Sequence, residues 1–231
     1  GINTPRYKRE LLGEFTVSES MVLPDFDPEK HIVPEEKWPG KPTRFVHGGD
    51  FGWENPAARL DIGMDDKGHV YVVSEFYQRH FPEHLLPQVF KRAVNHYKGS
   101  YVFPDPSSPG KVAALRAAGL PVWVRGIQRW GDSDDPTTGI GIMTWLLRNN
   151  LPDGSQRLYI SPKCTHFKQE IESWVWPDDQ RAEANRKEKP RSKADHLMDC
   201  FRYALMGMYA LGWLSPKSSL LPQKYEARFV A

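Results

Sequence analysis

Three aspartates stand at points where the chain changes character. Asp50 closes the run R-F-V-H-G-G-D, Asp105 follows Y-V-F-P and precedes P-S-S-P, and Asp199 lies four residues after Asp195 and three after His196. Spacings of three and four place Asp195, His196 and Asp199 along the edge of one helix face. If the strands that end at Asp50 and Asp105 are adjacent and parallel, their carboxylates emerge from the same sheet edge, where open α/β sheets seat ligands. Carboxylates brought together repel and raise one another's pKa unless a cation neutralises them, and Mg²⁺ or Mn²⁺ takes hard oxygen donors. Two such ions about 3.5 to 4 Å apart activate a water and stabilise the leaving oxygen of a phosphodiester without a protein base. Taken singly, Asp105 before Pro106 also fits a turn, and Asp195 also complements a helix dipole. Asp199 reads as lying in the second turn of its helix, where neither explanation reaches, so its charge asks for a partner.

The elements that must position these groups follow from local patterning. Phe45, Val46 and His47 read as a strand ending at Asp50. Ala57 to Met64 is a second strand, Asp65-Asp66-Lys67-Gly68 a turn, and Val70 to Val73 a third, making a meander. From Pro82 to Tyr97 apolar residues recur at steps of three and four, the spacing of one helix face. A strand at Tyr101 to Phe103 runs into Asp105, and Pro109 opens a helix through Ala118 that Gly119 closes. Val122 to Val124 and Arg157 to Ile160 read as strands, Gly139 to Arg148 and Thr165 to Trp174 as helices. Ser192 and Asp195 have the spacing of a capping box and open a last helix with Leu197, Phe201, Ala204, Leu205 and Met208 on its apolar face. A three-strand antiparallel meander followed by alternating helices and short parallel strands implies a mixed sheet flanked by helices, in the order of the ribonuclease H fold.

Composition is compatible with that reading. The 231 residues, 39% hydrophobic and 12% aromatic, support one well-packed core, and eight Trp exclude a wholly disordered chain. A mean hydropathy of -0.60 and the lack of any long apolar run leave no membrane span or signal peptide. Two cysteines, Cys164 and Cys200, suit a reducing cytoplasm rather than a disulfide framework. The net charge of +2 favours no polyanionic partner, but the stretch from Arg181 to Lys193 carries Arg186, Lys187, Lys189, Arg191 and Lys193 and reads as a basic hairpin near 176–193 suited to phosphates. Residues 1–40, rich in proline without a sustained period, read as a connecting arm rather than a core element. Residues 41–215 are expected to form the domain, and 216–231 a tail.

At this point the motifs themselves are informative. G-G-D-F-G-W-E-N-P-A-A at 48–58, D-P-S-S-P at 105–109 and D-H-L-M-D-C-F-R-Y-A-L at 195–205 resemble the nuclease motifs of the large terminase subunit of tailed bacteriophages, over about residues 44–210. K-R-E-L-L-G-E-F at 8–15 resembles the tail of that family's ATPase domain. The resemblance implies a RuvC-like endonuclease that cuts concatemeric double-stranded DNA during genome packaging, with low sequence specificity and two Mg²⁺ or Mn²⁺ ions. In that scheme Asp50 bridges both ions, Asp105 holds one and Asp199 the other, His196 lies near the second, and Asp195 supports them or substitutes as a ligand. Glu54 and Asn55 occupy the region where the family often has a further acidic residue. Implied partners are the ATPase domain, the small terminase subunit and the portal, and the implied location is the bacterial host cytoplasm at the procapsid portal. No G-x-x-x-x-G-K-[ST] occurs, so the chain is expected to be the nuclease part and not the motor ATPase. A RuvC-like junction resolvase would share the metals but prefer branched DNA, and a docking module of the motor would keep the fold without cleavage.

Other signals are weaker. His80 and His84 have Phe81 and Pro82 where a zinc hydrolase motif needs Glu, and read as histidines at a helix start. Asp132, Asp134 and Asp135 are followed by Pro136 where a calcium loop needs Gly, and read as a loop capping the Gly139 helix. Trp174 and Trp176 read as strand and core residues.

Overall fold

The computed structural model describes residues 21–124, 135, 137–176, 190 and 195–216. Strands β1 (Arg44–Asp50), β2 (Ala57–Met64) and β3 (Val70–Gln78) form the expected antiparallel meander. Strand β4 (Tyr101–Pro104) adds parallel to β1, and β5 (Leu158–Ile160) parallel to β3, giving the order β4-β1-β2-β3-β5. Besides a single turn at Pro28–His31, the helices among the described residues are α1 (Leu86–His96), α2 (Pro109–Ala117), α3 (Gly139–Arg148), α4 (Thr165–Ser173) and α5 (His196–Ala210).

Period-two alternation sorts the strand residues between two helical layers. Val46, Leu60, Ile62, Val72 and Phe103 join the larger core with Ile140, Met143, Phe167, Phe201 and Leu205, under α3, α4 and α5. On the other face Val102 packs with Phe51, Phe81, Phe90 and Leu115, under α1 and α2. That second face also buries polar side chains. His47 lies opposite Asp61 in the β1–β2 register and bonds its carboxylate at 2.7 Å, while its other ring nitrogen meets the Ser100 hydroxyl at 2.9 Å. Arg59 closes on the same carboxylate through two nitrogens, and with His47 it overcomes the effect of burial and lowers the Asp61 pKa to about 2. A bulge between Asp61 and Ile62, where Val73 is the extra residue, turns this part of β3.

Several sequence expectations shift. The helix read from Pro82 starts at Leu86 after a 3₁₀ turn at Glu83–Leu85, because Pro87, without an N–H, is tolerated only in a first turn. Val122–Val124 makes a single parallel bridge, Val122 to Val102, instead of a strand, next to Pro121, which has no ladder donor to give. Residues 21–40, read as lacking core elements, bury Val22, Leu23 and Phe26 and bridge Met21 to Val175 and Ile32 to Ile160. Isolated bridges need no periodic pattern, so this packing left no trace in the sequence. Trp174 is core, Trp176 packs against it, His80 is exposed, and Thr138 caps α3 by accepting from Gly141 N–H at 3.0 Å. No helix among the described residues is long and apolar enough to cross a membrane.

Candidate metal centre

The parallel pairing of β1 and β4 brings Asp50 and Asp105 to one end of the sheet. Gly49 lies opposite Pro104, and the Asp105 N–H donates to the Gly49 carbonyl at 2.8 Å, continuing the ladder by one residue. Asp50 shares the face of Val46 and Gly48, the face on which α5 lies. The approach of α5 to β1 is set by Gly48, where a Cβ would come within 1.9 Å of the Cys200 carbonyl oxygen, so only glycine admits the helix this close.

Helix α5 delivers the remaining groups. It begins at His196 with Asp195 as its N-cap residue, later than the capping box implies; Ser192 lies outside the described residues. Asp199 therefore sits in the first turn, not the second. The helix is buried nearly all round, including Cys200, Arg202 and Tyr203, rather than along one apolar face. Its first N–H groups are satisfied from a neighbouring element, since Leu197 and Met198 donate to Glu170 Oε2 of α4 at 2.6 and 3.1 Å. Glu170 is only 3% exposed, and burial lifts its pKa to about 7 against the opposing pull of those N–H groups and His196.

Each acidic residue has a named companion. His196 donates from Nδ1 to Asp50 Oδ2 at 2.8 Å, while Phe51 N–H donates to Asp50 Oδ1 at 3.0 Å. Burial works against the imidazolium, but the Asp50 carboxylate, with Glu170 and Asp195 farther off, raises the His196 pKa overall. Buried Asp105 accepts from Ser107 N–H at 2.9 Å, from the Ser107 hydroxyl at 2.5 Å and from the Tyr203 hydroxyl of α5 at 3.1 Å. Asp199 pairs with the fully buried guanidinium of Arg202, one turn on. Burial raises the Asp199 pKa; Arg202 opposes this, and Asp50 and Asp195 reinforce it.

The sequence-derived residues Asp50, Asp195, His196 and Asp199 thus act on one another, and Asp105 lies at the next strand end. Among the described residues no three His, Cys, Asp or Glu side chains form a ready-made metal cage. His196, Tyr203 with Ser107, and Arg202 each hold one carboxylate. Glu54 is exposed and lies 3.6 Å from His80. Arg186, Lys187, Lys189, Arg191 and Lys193, and the hairpin expected around them, lie outside the described residues. Sequence reasoning missed Arg202, Tyr203 and Glu170 as contributors. Arg202 was detectable as a cation three residues after Asp199. Glu170 was detectable as a glutamate three residues after buried Phe167 and next to buried Ile171. The Tyr203–Asp105 contact spans 98 residues and has no local signal.

A mixed five-stranded sheet of this order with acidic groups at the ends of its parallel β1–β4 pair defines the ribonuclease H-like class. No protein-family model and no curated protein sequence matches the chain. Solved structures do. The large terminase of a thermophilic bacteriophage superposes with a TM-score of 0.63 at 24% identity, covering 88% of this chain and 49% of that one. The P22 large terminase nuclease domain gives 0.60 at 14%, covering 82% and 92%. The large terminase nuclease of thermophilic phage G20c, solved with bound magnesium, gives 0.58 at 13%, covering 80% and 96%. The chain spans about half the length of the first of these proteins and nearly all of the two isolated nuclease domains. Its fold is that of a phage large-terminase nuclease domain.

Proposed function

We propose that this chain is a divalent-metal-dependent endonuclease that cuts concatemeric double-stranded viral DNA during genome packaging. The observation that carries the reading is the mutual crowding of Asp50, Asp195, Asp199 and His196, with Asp105 at the adjoining strand end, in this fold. The donor set fits Mg²⁺ or Mn²⁺: the oxygens are hard, and the carboxyl of Asp199 is raised by burial and by neighbouring charges that a cation would offset. Asp50, Asp105 and Asp199 would hold two ions, with His196 and Asp195 beside them. Such ions, when bound, supply Lewis-acid activation of water and stabilisation of the leaving oxygen.

The chain's own residues orient this centre. Tyr203 and Ser107 hold both oxygens of Asp105, and His196 keeps a proton at Nδ1 directed to Asp50. Arg202 balances the charge of Asp199, a role that a bound cation would share. Phosphate chemistry of this kind needs no base contacts, so specificity is low and cut-site choice rests with partners. Those partners are the ATPase domain, the small terminase subunit and the portal, at the procapsid in the host cytoplasm. The neighbour G20c nuclease, solved with magnesium, supports the choice of metal.

The test is incubation of the chain and its Asp199→Ala variant with supercoiled plasmid at low salt in EDTA, Mg²⁺, Mn²⁺ or Ca²⁺. Nicking and linearisation with Mg²⁺ or Mn²⁺, lost in EDTA and in the variant, is the expected result. Strong preference for a four-way junction over plain duplex would instead indicate a RuvC-like resolvase. Absence of cleavage with every metal, even with the ATPase domain added, would indicate a docking module.

A further inference from the structure

The sheet end opposite the acidic edge carries a cleft of about 380 Å³ whose lining includes Arg44, Lys67, Arg157, Trp145 and Trp213. Arg44 opens β1, Arg157 directly precedes β5, Lys67 is in the β2–β3 turn, and the two tryptophans come from α3 and the segment after α5. The Arg44 guanidinium lies 5.0 Å over the Trp213 ring and that of Arg157 4.5 Å over the Trp145 ring. A guanidinium held by its face on a ring presents its N–H groups at the edge, in a fork suited to oxyanions.

Both arginines are half-buried, and among the described residues neither has the counter-charge that buried charges normally have. The Nε atoms of Arg44 and Arg157 are buried without a hydrogen-bond partner. Arg44 reaches one carbonyl, that of Asp65, at 3.5 Å, the limit of a hydrogen bond. Among the described residues no carboxylate is ion-paired with Arg44, Lys67 or Arg157. The one acid in the lining, Asp66, accepts from Thr43 at 3.1 Å. The frame is also stiff, because Asp65 fastens the turn by accepting from the N–H groups of Lys67, Gly68 and His69, from the Tyr71 hydroxyl and from the His69 ring.

We propose that this cleft binds a phosphate-type oxyanion. Three cations facing one carboxylate match a group carrying about -1.5 to -2 better than a single carboxylate at -1. The volume admits a phosphate ester larger than phosphate itself. Six residue steps of β1, about 20 Å at strand rise, separate Arg44 from Asp50, so the ligand is not the phosphate held at the acidic edge. The proposal is independent of the nuclease reading.

Calorimetric titration of the 231-residue chain in EDTA at fixed ionic strength tests it, with inorganic phosphate, a nucleoside monophosphate and a short single-stranded oligonucleotide as probes. Saturable binding weakened at least tenfold in Arg44→Gln and Arg157→Gln, weakened severalfold in Arg157→Lys, and unchanged in Asp50→Asn is expected. Tighter binding of the monophosphate identifies a small phosphate ester as the source, and binding of the oligonucleotide far beyond it identifies a nucleic-acid backbone. Should the glutamine variants misfold, phosphate-induced shifts of the Trp145 and Trp213 indole N–H resonances in the unmodified chain decide the matter. Absence of saturable phosphate binding, or binding untouched by the arginine changes, would overturn the proposal.

Discussion

At the scale of single residues, the centre is an arrangement of charges that oppose burial. The stem of Arg202 fills the space over Gly139, where a Cβ would meet its Cδ at 2.3 Å, and its head neutralises Asp199 inside the domain. Removing one partner of a buried pair leaves the other charge uncompensated at a cost of about 3 to 5 kcal/mol. We therefore expect Arg202→Met, scanned calorimetrically in EDTA, to melt about 10 °C lower, since about 2 to 4 °C follow each kcal/mol at this chain length. Adding Asp199→Asn should recover most of that loss by removing the stranded charge, and Mg²⁺ should recover part of it in the single variant. An unchanged melting temperature in Arg202→Met would remove the ion pair from the energetics of the site.

At the scale of elements, two of the contacts that hold α5 are of different kinds. One is the close approach at Gly48, and we expect Gly48→Ala to destabilise by about 3 kcal/mol in urea unfolding, because the added methyl meets backbone rather than a movable side chain. The other is the cap from Glu170. Its pKa lies at about 7 against an ordinary 4.5, so the native state holds this proton more tightly than the unfolded chain between those values. Stability from this group is present in full below pH 4.5 and falls as pH rises through about 7, by about 3 kcal/mol at most. The difference in unfolding free energy between the native chain and Glu170→Gln, measured in EDTA from about pH 5 to 8, should follow that decline. A difference flat with pH would show that Glu170 does not titrate in this window. The same cap explains what the sequence could and could not reveal. Strand ends at Asp50 and Asp105, the meander and α3 were legible because their signals are local: alternation, turn residues, helical spacing. The start of α5 was misplaced because its N–H groups are satisfied from α4, 27 residues earlier, while the local capping box pointed to Ser192. For the same reason the Tyr203 companion of Asp105 became visible only once β4 and α5 were side by side.

At the scale of the whole molecule, the charge distribution sets a problem for any duplex partner. A net charge of +2 gives little long-range attraction, and the candidate centre itself is acidic and repels phosphates until cations fill it. Attraction must come from local basic runs, and the densest is Arg181 to Lys193, which in sequence directly precedes Asp195 and α5. Each phosphate neutralised by such a residue contributes about 0.9 to the slope of log affinity against log salt. Replacing Arg186, Lys187, Lys189, Arg191 and Lys193 together with Gln should therefore lower that slope by about 4.5 if all five touch phosphates, as read by fluorescence anisotropy of a labelled duplex between about 50 and 200 mM salt in Ca²⁺. Affinity should fall equally for duplexes of unrelated sequence, because phosphate contacts carry no sequence information. A slope that stays the same in the five-fold variant would assign the basic run to something other than the DNA and leave the described face of the domain to supply the contacts.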